Sequence, residues 1–193
     1  MPVWLSIIWL GYNPEKTCQI EEYFHITKVL SFNGIDFNLS WSSHPTSDYY
    51  KQEYIPVGEN LEHFNDMLTI EFFNSGIDIK EVVERQVLLI VEKKKRDPVC
   101  NYKLLTNEKK GEYILDFVIS GENGSQHSPI EWNAYRYIPY QDNIGHKGII
   151  LLGVTHRAYG GEEILNFLKN LGNYRNEILP RLIPYPLPPI SIN

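Results

Sequence analysis

Apolar and polar residues alternate early in the chain with the period of a half-buried β-strand. Ile35, Phe37 and Leu39 are each followed by a polar residue, so their side chains should share the buried face of a strand. The dipeptide Asn33-Gly34 comes directly before them and is a strong signal for a two-residue turn. The pattern therefore predicts a hairpin centred on this dipeptide.

Other segments of the first half are recognised by apolar runs and by the turn residues between them. Residues 49–55 and 68–73 are rich in aromatic and β-branched side chains and are predicted to be strands. Residues 42–48 contain a His-Pro dipeptide and are predicted to be a loop, and residues 61–67 a short helical turn. The apolar run 3–10 is expected to form a buried strand, because it is too short to span a bilayer.

The clearest helical pattern begins at Asp78. Its carboxylate is expected to cap the first turn, and Glu81, three residues later, is expected to complete a capping box. The basic run 93–96 suits the C-terminal end of a helix dipole, and Pro98 should end the helix. Apolar residues recur at three- and four-residue steps along the face that should be buried: Ile79, Val82, Val83, Val87 and Ile90.

The second half of the chain alternates between extended and turn-rich segments, which is typical of an antiparallel meander. A second helix is predicted to begin after Gly160-Gly161, with acidic residues in its first turn, and to end at Pro180. The predicted strands of the meander are residues 102–105, 113–119, 132–138 and 148–154.

The predicted order of strands, helix, meander and helix indicates one α+β domain. We expect an antiparallel β-sheet flanked by two main helices, formed by residues 1–182. Residues 183–193 contain four prolines and are expected to form an extended, proline-rich C-terminal tail. This element order resembles the PsbP-like α/β/α sandwich over residues 33–182, and the resemblance implies that fold.

A short segment carries a second resemblance. Residues 54–59 read Y-I-P-V-G-E and are followed by Leu61 and Phe64. The segment is similar to a Y-I-P-x-G-E sequence of uncharacterised bacterial proteins, many of them secreted, which often have Trp in place of Phe64. The sequence as given lacks the pattern of a signal peptide. It therefore favours the cytoplasm, or the periplasm or secretion if a signal peptide has been removed.

The charge of the chain is unevenly distributed. The net charge is −6, but residues 1–78 carry 11 acidic and 3 basic side chains whereas residues 79–193 carry a net +2. This balance argues against a nucleic-acid partner, since binding to phosphates requires a basic surface. An acidic surface can steer a basic protein partner, although acidic side chains also simply keep a protein soluble. The candidate binding acids are Glu53, Glu59, Glu62 and Asp66.

Motifs for catalysis, cofactors and metals are missing from the sequence. Cys18 and Cys100 are the only cysteines, without the spacing of a zinc site. They could form one disulfide or remain as two free thiols. The chain has no G-x-S-x-G elbow, no P-loop and no G-x-G-x-x-G pattern, and no histidines are paired at i, i+4. We therefore expect no catalytic residue, no cofactor and no bound metal.

Polar residues interrupt two apolar strands of the second half and form a further candidate binding site. Alternation should place Tyr135 and Tyr137 on one face of their strand and Trp132 on the other. If the two strands are neighbours, a cationic, aromatic-rimmed site for an anionic ligand could form, because Arg binds carboxylates in bidentate fashion. Alternatively, the arginines pair with Glu131 or Glu162. The candidate residues are Arg136, His156, Arg157 and Tyr159.

Three functions remain compatible with these patterns. The leading hypothesis is a non-enzymatic bacterial protein-binding domain, in its specific form an immunity or inhibitor protein that neutralises a toxin through an acidic, aromatic-rich surface. The second is a small anionic-ligand-binding or enzymatic domain that uses the cationic site. The third is a structural subunit of an assembly. No transmembrane segment is expected in any of them.

Overall fold

A single antiparallel β-sheet dominates the architecture. The computed structural model describes residues 20–74, 76–121, 128–142 and 145–192. The predicted α+β class with an antiparallel sheet and two helices is confirmed, and the sheet order is β1-β2-β3-β4-β8-β7-β6-β5. The elements are β1 (Val29–Phe32), β2 (Ile35–Thr46), β3 (Tyr49–Pro56), β4 (Asp66–Phe73), α1 (Ile79–Lys94), β5 (Asn101–Asn107), β6 (Glu112–Ser120), β7 (Ile130–Gln141), β8 (Lys147–Ala158) and α2 (Gly161–Leu182).

The first hairpin forms where the sequence predicts it. Asn33 and Gly34 both have positive φ, at 51° and 78°, as a type I′ turn requires. The loop predicted at residues 42–48 is wrong, because β2 continues to Thr46 and pairs with β3. Two register shifts interrupt this pairing, the second between Ser43 and Thr46. Such irregularities allow a strand to include a proline without a full set of ladder hydrogen bonds.

The helical turn predicted at residues 61–67 is also wrong. Asn60 and His63 form an isolated β-bridge, and β4 already begins at Asp66. The side-chain oxygen of Asn60 accepts hydrogen bonds from the backbone N–H groups of Glu62 and His63 at 3.0 and 2.9 Å. Asn side chains that bind nearby backbone in this way compete with helix formation.

Helix α1 begins as predicted, with Asp78 as its N-cap. The Asp78 carboxylate accepts a hydrogen bond of 2.8 Å from the backbone N–H of Lys80. Glu81 instead pairs with Arg85 at 2.6 Å, so the structure shows no reciprocal bond of a capping box. Most of the predicted apolar face is buried, including Val83 and Ile90.

Helix α2 begins after Gly160, which has φ of 71°. The predicted end at Pro180 is wrong, because the helix continues through this proline to Leu182. Leu182 is fully buried, and its carbonyl accepts a hydrogen bond from Arg136. Burial and this hydrogen bond hold the last turn in helical form although Pro180 cannot donate an N–H.

The two helices pack on opposite faces of the sheet. Helix α1 packs against β5, β6 and β7, and α2 packs against β7 and β8. We call these the α1 face and the α2 face. Trp132 belongs to the core on the α2 face, and Tyr137 to the core on the α1 face with Tyr135 packed against it. The alternation predicted for β7 is therefore confirmed.

The C-terminal segment adds to the core on the α2 face. Tyr185, Leu187 and Ile190 pack against this core, and Ile192 is buried in it. The backbone N–H of Ser191 donates a 3.0 Å hydrogen bond to the carbonyl of Phe24. The proline-rich segment thus covers part of the sheet that α2 leaves open. The strand predicted at residues 3–10 lies outside the described residues.

Candidate functional site

Charged side chains from β3 and β4 meet on the α1 face. Lys51 of β3 is directly opposite Glu71 of β4, and alternation places Glu53 on the same face. The Lys51 Nζ lies 2.7 Å from Glu53 Oε1 and 3.7 Å from Glu71 Oε1. The Tyr49 hydroxyl donates a 2.9 Å hydrogen bond to Glu71 Oε2. One cation is therefore shared by two carboxylates.

Burial changes the proton affinity of this cluster. Burial lowers the pKa of Lys51, but the attraction of Glu71 and Glu53 outweighs it, so the net pKa of Lys51 is raised. Burial raises the pKa of Glu71, although Lys51 and Tyr49 favour its ionised form. Lys51 is consequently held in its charged form, while Glu71 is a weaker acid than an exposed glutamate.

Two aromatic side chains border the charged residues. Lys51 Nζ lies 5.9 Å from the centroid of the Trp41 ring. The Tyr135 ring covers Gly153, where an added Cβ would come within 3.1 Å of it. The pKa of Tyr135 is raised by burial and, to a lesser degree, by Glu71 and other carboxylates. We call the surface formed by Trp41, Lys51, Glu53, Glu71 and Tyr135 the aromatic-acidic half-face.

The four candidate acids do not form one surface. Glu53 lies on the aromatic-acidic half-face, whereas Asp66 lies on the α2 face and accepts a 3.1 Å hydrogen bond from the Tyr174 hydroxyl. Glu59 Oε2 accepts a 2.8 Å hydrogen bond from the backbone N–H of Asn65. Glu62 is exposed. Asp66 and Glu59 thus bond within the fold, Glu53 is partly exposed and paired with Lys51, and the Glu62 side chain is exposed.

The predicted cationic site is not assembled. Strands β7 and β8 are neighbours as required, but Arg136 and His156 project from the α2 face and Arg157 from the α1 face, because consecutive residues of a strand alternate. His156 Nδ1 lies 2.8 Å from Asp66 Oδ1. Arg157 and Tyr159 do come together, with 3.5 Å between Arg157 Nη1 and the Tyr159 hydroxyl.

Each arginine of the predicted site already binds a carboxylate. Arg136 donates two hydrogen bonds of 3.1 Å to Glu112 and one of 2.8 Å to the carbonyl of Tyr185. Arg157 donates a 2.7 Å hydrogen bond to Glu131, so the predicted pairing with Glu131 is confirmed. No arginine of this group is left as an open anion site.

The segment after Y-I-P-V-G-E supports the end of β8. Arg157 and Asn65 exchange two hydrogen bonds: the Arg157 N–H donates to the Asn65 carbonyl at 2.7 Å, and Asn65 Nδ2 donates to the Arg157 carbonyl at 3.0 Å. The Arg157 guanidinium lies 4.1 Å from the centroid of the buried Phe64 ring. The Tyr159 hydroxyl donates a 2.9 Å hydrogen bond to the carbonyl of Phe64. Phe64 therefore has a packing role, since its ring lies against Arg157 and its carbonyl is bound by Tyr159.

Sequence reasoning missed Lys51, Glu71 and Trp41 as members of a site. Lys51 and Glu53 are two residues apart on a predicted strand, so their shared face could have been inferred. Glu71 could not, since its place beside Lys51 depends on the register of β3 with β4. A local sequence pattern does not reveal such a pair, because its two residues are far apart in the chain.

In the described part of the chain, the histidine, cysteine and carboxylate side chains form no group of three or more that could hold a metal ion. Two depressions of the described surface are open to solvent, one between α1 and the β5–β6 hairpin and one beside Tyr140 and Gly148. Cys100 is buried and has no disulfide partner among the described residues, and Cys18 lies outside them, so the choice between one disulfide and two thiols stays open. Among the helices described, none has the length and apolar character needed to cross a membrane.

Comparison with known proteins places the chain in a family. One family's sequence model matches residues 24–187, which include every strand and both helices described above. The chain belongs to this family. No curated protein and no solved structure matches the chain, and the PsbP-like resemblance stays a prediction.

Proposed function

We propose that this protein is a non-enzymatic protein-binding domain that recognises a basic partner through the aromatic-acidic half-face. In its specific form, it is a bacterial immunity or inhibitor protein that neutralises a toxin by covering a basic surface. The observation that carries the proposal is the presence of Trp41 and Tyr135 beside Glu53 and Glu71 on one sheet face.

The shape of the half-face favours a protein partner over a small molecule. Small ligands bind in concave pockets that cover most of their surface, whereas the half-face is the surface of β-strands. Aromatic residues that are partly buried and rigid are enriched at the centres of protein interfaces. Trp41 and Tyr135 are both partly exposed, so they can provide such contact area.

The charge of the half-face favours a basic partner. Lys51 is one cation for the two carboxylates of Glu53 and Glu71. A lysine or arginine of the partner would complete the pairing and also lie near the faces of aromatic rings, which attract cations. The net −8 of residues 1–78 would increase the association rate with a basic protein.

The anionic-ligand alternative gains no support from the geometry. A ligand carboxylate or phosphate would have to displace Glu112 from Arg136 or Glu131 from Arg157. Either displacement would leave a buried or partly buried carboxylate without its partner, which is costly.

Affinity capture with matched variants tests the proposal. The wild-type protein, the double variant Trp41→Ala/Glu53→Gln and the control Glu162→Gln/Leu165→Ala would be used to capture partners from the native host at low salt. Glu162 and Leu165 are exposed residues of α2 and lie away from the half-face. We expect a basic protein that binds the wild type and the control and is lost from the half-face variant.

Two results would contradict this function. One is a partner that binds the half-face variant and the wild type equally, which would place recognition elsewhere. The other is an affinity that does not fall as salt concentration rises, because charge-steered association is screened by salt. Variants of Asp66 and Glu59 are unsuitable here, since their carboxylates bond within the fold.

A further inference from the structure

The two edges of the sheet are built differently. Edge strand β1 has only four residues, and Tyr185 lies against it, with its hydroxyl donating a 3.0 Å hydrogen bond to the carbonyl of Ser31. Edge strand β5 has seven residues and pairs with β6 without any register shift. In the described chain, β6 is its only strand neighbour. One edge is thus short and covered, and the other is long and regular.

The β5 edge has only one of the usual protections against pairing, the charged side chain of Lys103. Natural edge strands are blunted by prolines, bulges or charged side chains. β5 contains no proline, its pairing shows no bulge, and Lys103 is its single charged residue. Among the residues that the structure describes, no strand occupies the outer side of β5, so a strand of another chain can pair there.

Exposed leucines border this edge on the α1 face. Leu104 of β5 is 37% exposed and Leu88 of α1 is 63% exposed. Leu104 lines an open groove with Glu84 of α1, and Leu88 follows Glu84 by one helical turn on the same side of α1. The edge thus combines an outer side with no strand neighbour in the described chain with apolar side chains, which suits a strand-pairing interface.

We propose that β5 pairs antiparallel with β5 of a second copy of this chain, around a two-fold axis at Leu104. This symmetry places Leu104 opposite its own copy, so apolar surface meets apolar surface. Lys103 is then opposite Leu105, and Asn101 is opposite Asn107. No like charges face each other across the new strand pair.

Charge complementarity at the ends of the strand favours a second copy as the occupant. Lys94 Nζ lies 3.1 Å from Asn101 Oδ1, at one end of β5. Glu108 follows Asn107, at the other end. The two-fold axis brings Lys94 of each copy beside Glu108 of the other, so the proposed pairing adds two ion pairs. A strand from an unrelated protein would match this edge only by its backbone.

Sedimentation velocity of the full chain over a range of concentrations is the first test. We expect a monomer-dimer equilibrium in the micromolar to submillimolar range, as suits a small interface. Leu88→Lys and Leu104→Lys should each weaken dimerisation about tenfold or more, because they place charge at the interface. Leu165→Lys, at a leucine of α2 that is 58% exposed, should leave it unchanged.

A charge swap tests the register of the pairing. Glu108→Lys should weaken the dimer by placing two lysines together, and the double variant Glu108→Lys/Lys94→Glu should restore it. Restoration distinguishes this antiparallel pairing from other modes of self-association.

Hydrogen exchange of the wild type keeps the inference testable even if a variant fails to fold. The outer amides of β5 should exchange more slowly as protein concentration rises. A monomer at every concentration, a dimer equally sensitive to the Leu165 control, or β5 protection independent of concentration would each overturn the inference. The last result would mean that another segment or protein occupies the edge.

Discussion

At the scale of single residues, buried ion pairs connect distant parts of the chain. Arg136 and Glu112 are both buried and joined by two hydrogen bonds. Arg136 also binds the carbonyls of Leu182 and Tyr185. One guanidinium thus links β6, β7, the end of α2 and the C-terminal segment.

Removing one member of this pair should be costly. Glu112→Gln would leave the Arg136 guanidinium buried without its counter-charge, and we expect a loss of about 3 kcal/mol in the free energy of unfolding. Chemical denaturation measures the loss. The double variant Glu112→Gln/Arg136→Met should lose less than the sum of the two single variants. Strict additivity would show that the pair is not coupled.

Tyr137 differs from Arg136 and Glu112, because removing its buried polar group should cost no stability. Its hydroxyl is buried and has no hydrogen-bond partner within the described chain, and burial raises its pKa well above the ordinary value. Tyr137→Phe should therefore be neutral or stabilising by up to about 1 kcal/mol in denaturation experiments. Tyr54→Phe is the matched control, because Gln52 donates a 2.5 Å hydrogen bond to that buried hydroxyl. It should be destabilising, and equal effects of the two changes would contradict the prediction.

At the scale of elements, adjacent residues of α2 fix the helix to the sheet. Tyr174 donates a hydrogen bond to Asp66, and Arg175 lies 2.9 Å from Asp116. Asp116 is buried and also accepts a 2.6 Å hydrogen bond from the Trp132 indole. The helix is positioned by these polar contacts in addition to its apolar face.

The contact at Asp116 should control the local stability of α2. Asp116→Asn removes the charge that binds Arg175, and we expect a loss of about 2 kcal/mol. The substitution should increase the rate of hydrogen exchange more in α2 than in α1. Helix α1 serves as the internal reference because it packs on the other face of the sheet. A uniform increase in both helices would mean that the contact stabilises the whole domain instead.

Glu71 of β4, which lies beside Lys51 of β3, should make the free energy of unfolding depend on pH. The pKa of Glu71 is raised by burial from its ordinary value of 4.5. A group whose pKa is raised on folding stabilises the fold fully below its unfolded pKa, and this contribution is lost as the pH rises through the folded pKa. Glu71→Gln should therefore gain stability relative to the wild type as the pH rises above 4.5. Denaturation midpoints at several pH values measure this, and a constant difference would contradict it.

At the scale of the whole molecule, the two proposed interfaces are separate. The aromatic-acidic half-face lies mainly on β2, β3 and β4, whereas β5 is at the opposite end of the sheet order. A dimer formed through β5 would therefore leave both half-faces free.

This separation predicts a complex of two copies with two partner molecules. Light scattering of the mixture should give this stoichiometry at concentrations where the chain is dimeric. Leu104→Lys should reduce it to one copy with one partner without changing the affinity for the partner. Loss of partner affinity in that variant would mean that the two interfaces are coupled.

The sequence by itself determined the elements that depend on near neighbours. The turn at Asn33-Gly34 needs residues that tolerate positive φ, and the start of α1 needs an acceptor such as Asp78. The meander and the start of α2 after Gly160 follow from equally local patterns. These features involve a few residues in succession, so spacing and residue type are sufficient to predict them.

Only the tertiary structure decided which distant side chains meet. The sequence did not show that Lys51 is beside Glu71, or that Arg136 binds Glu112, since both pairs depend on strand register. Nor did it show that burial and the bond from Arg136 carry α2 through Pro180. Register and burial bring together residues that are far apart in the chain, and no local pattern encodes that proximity.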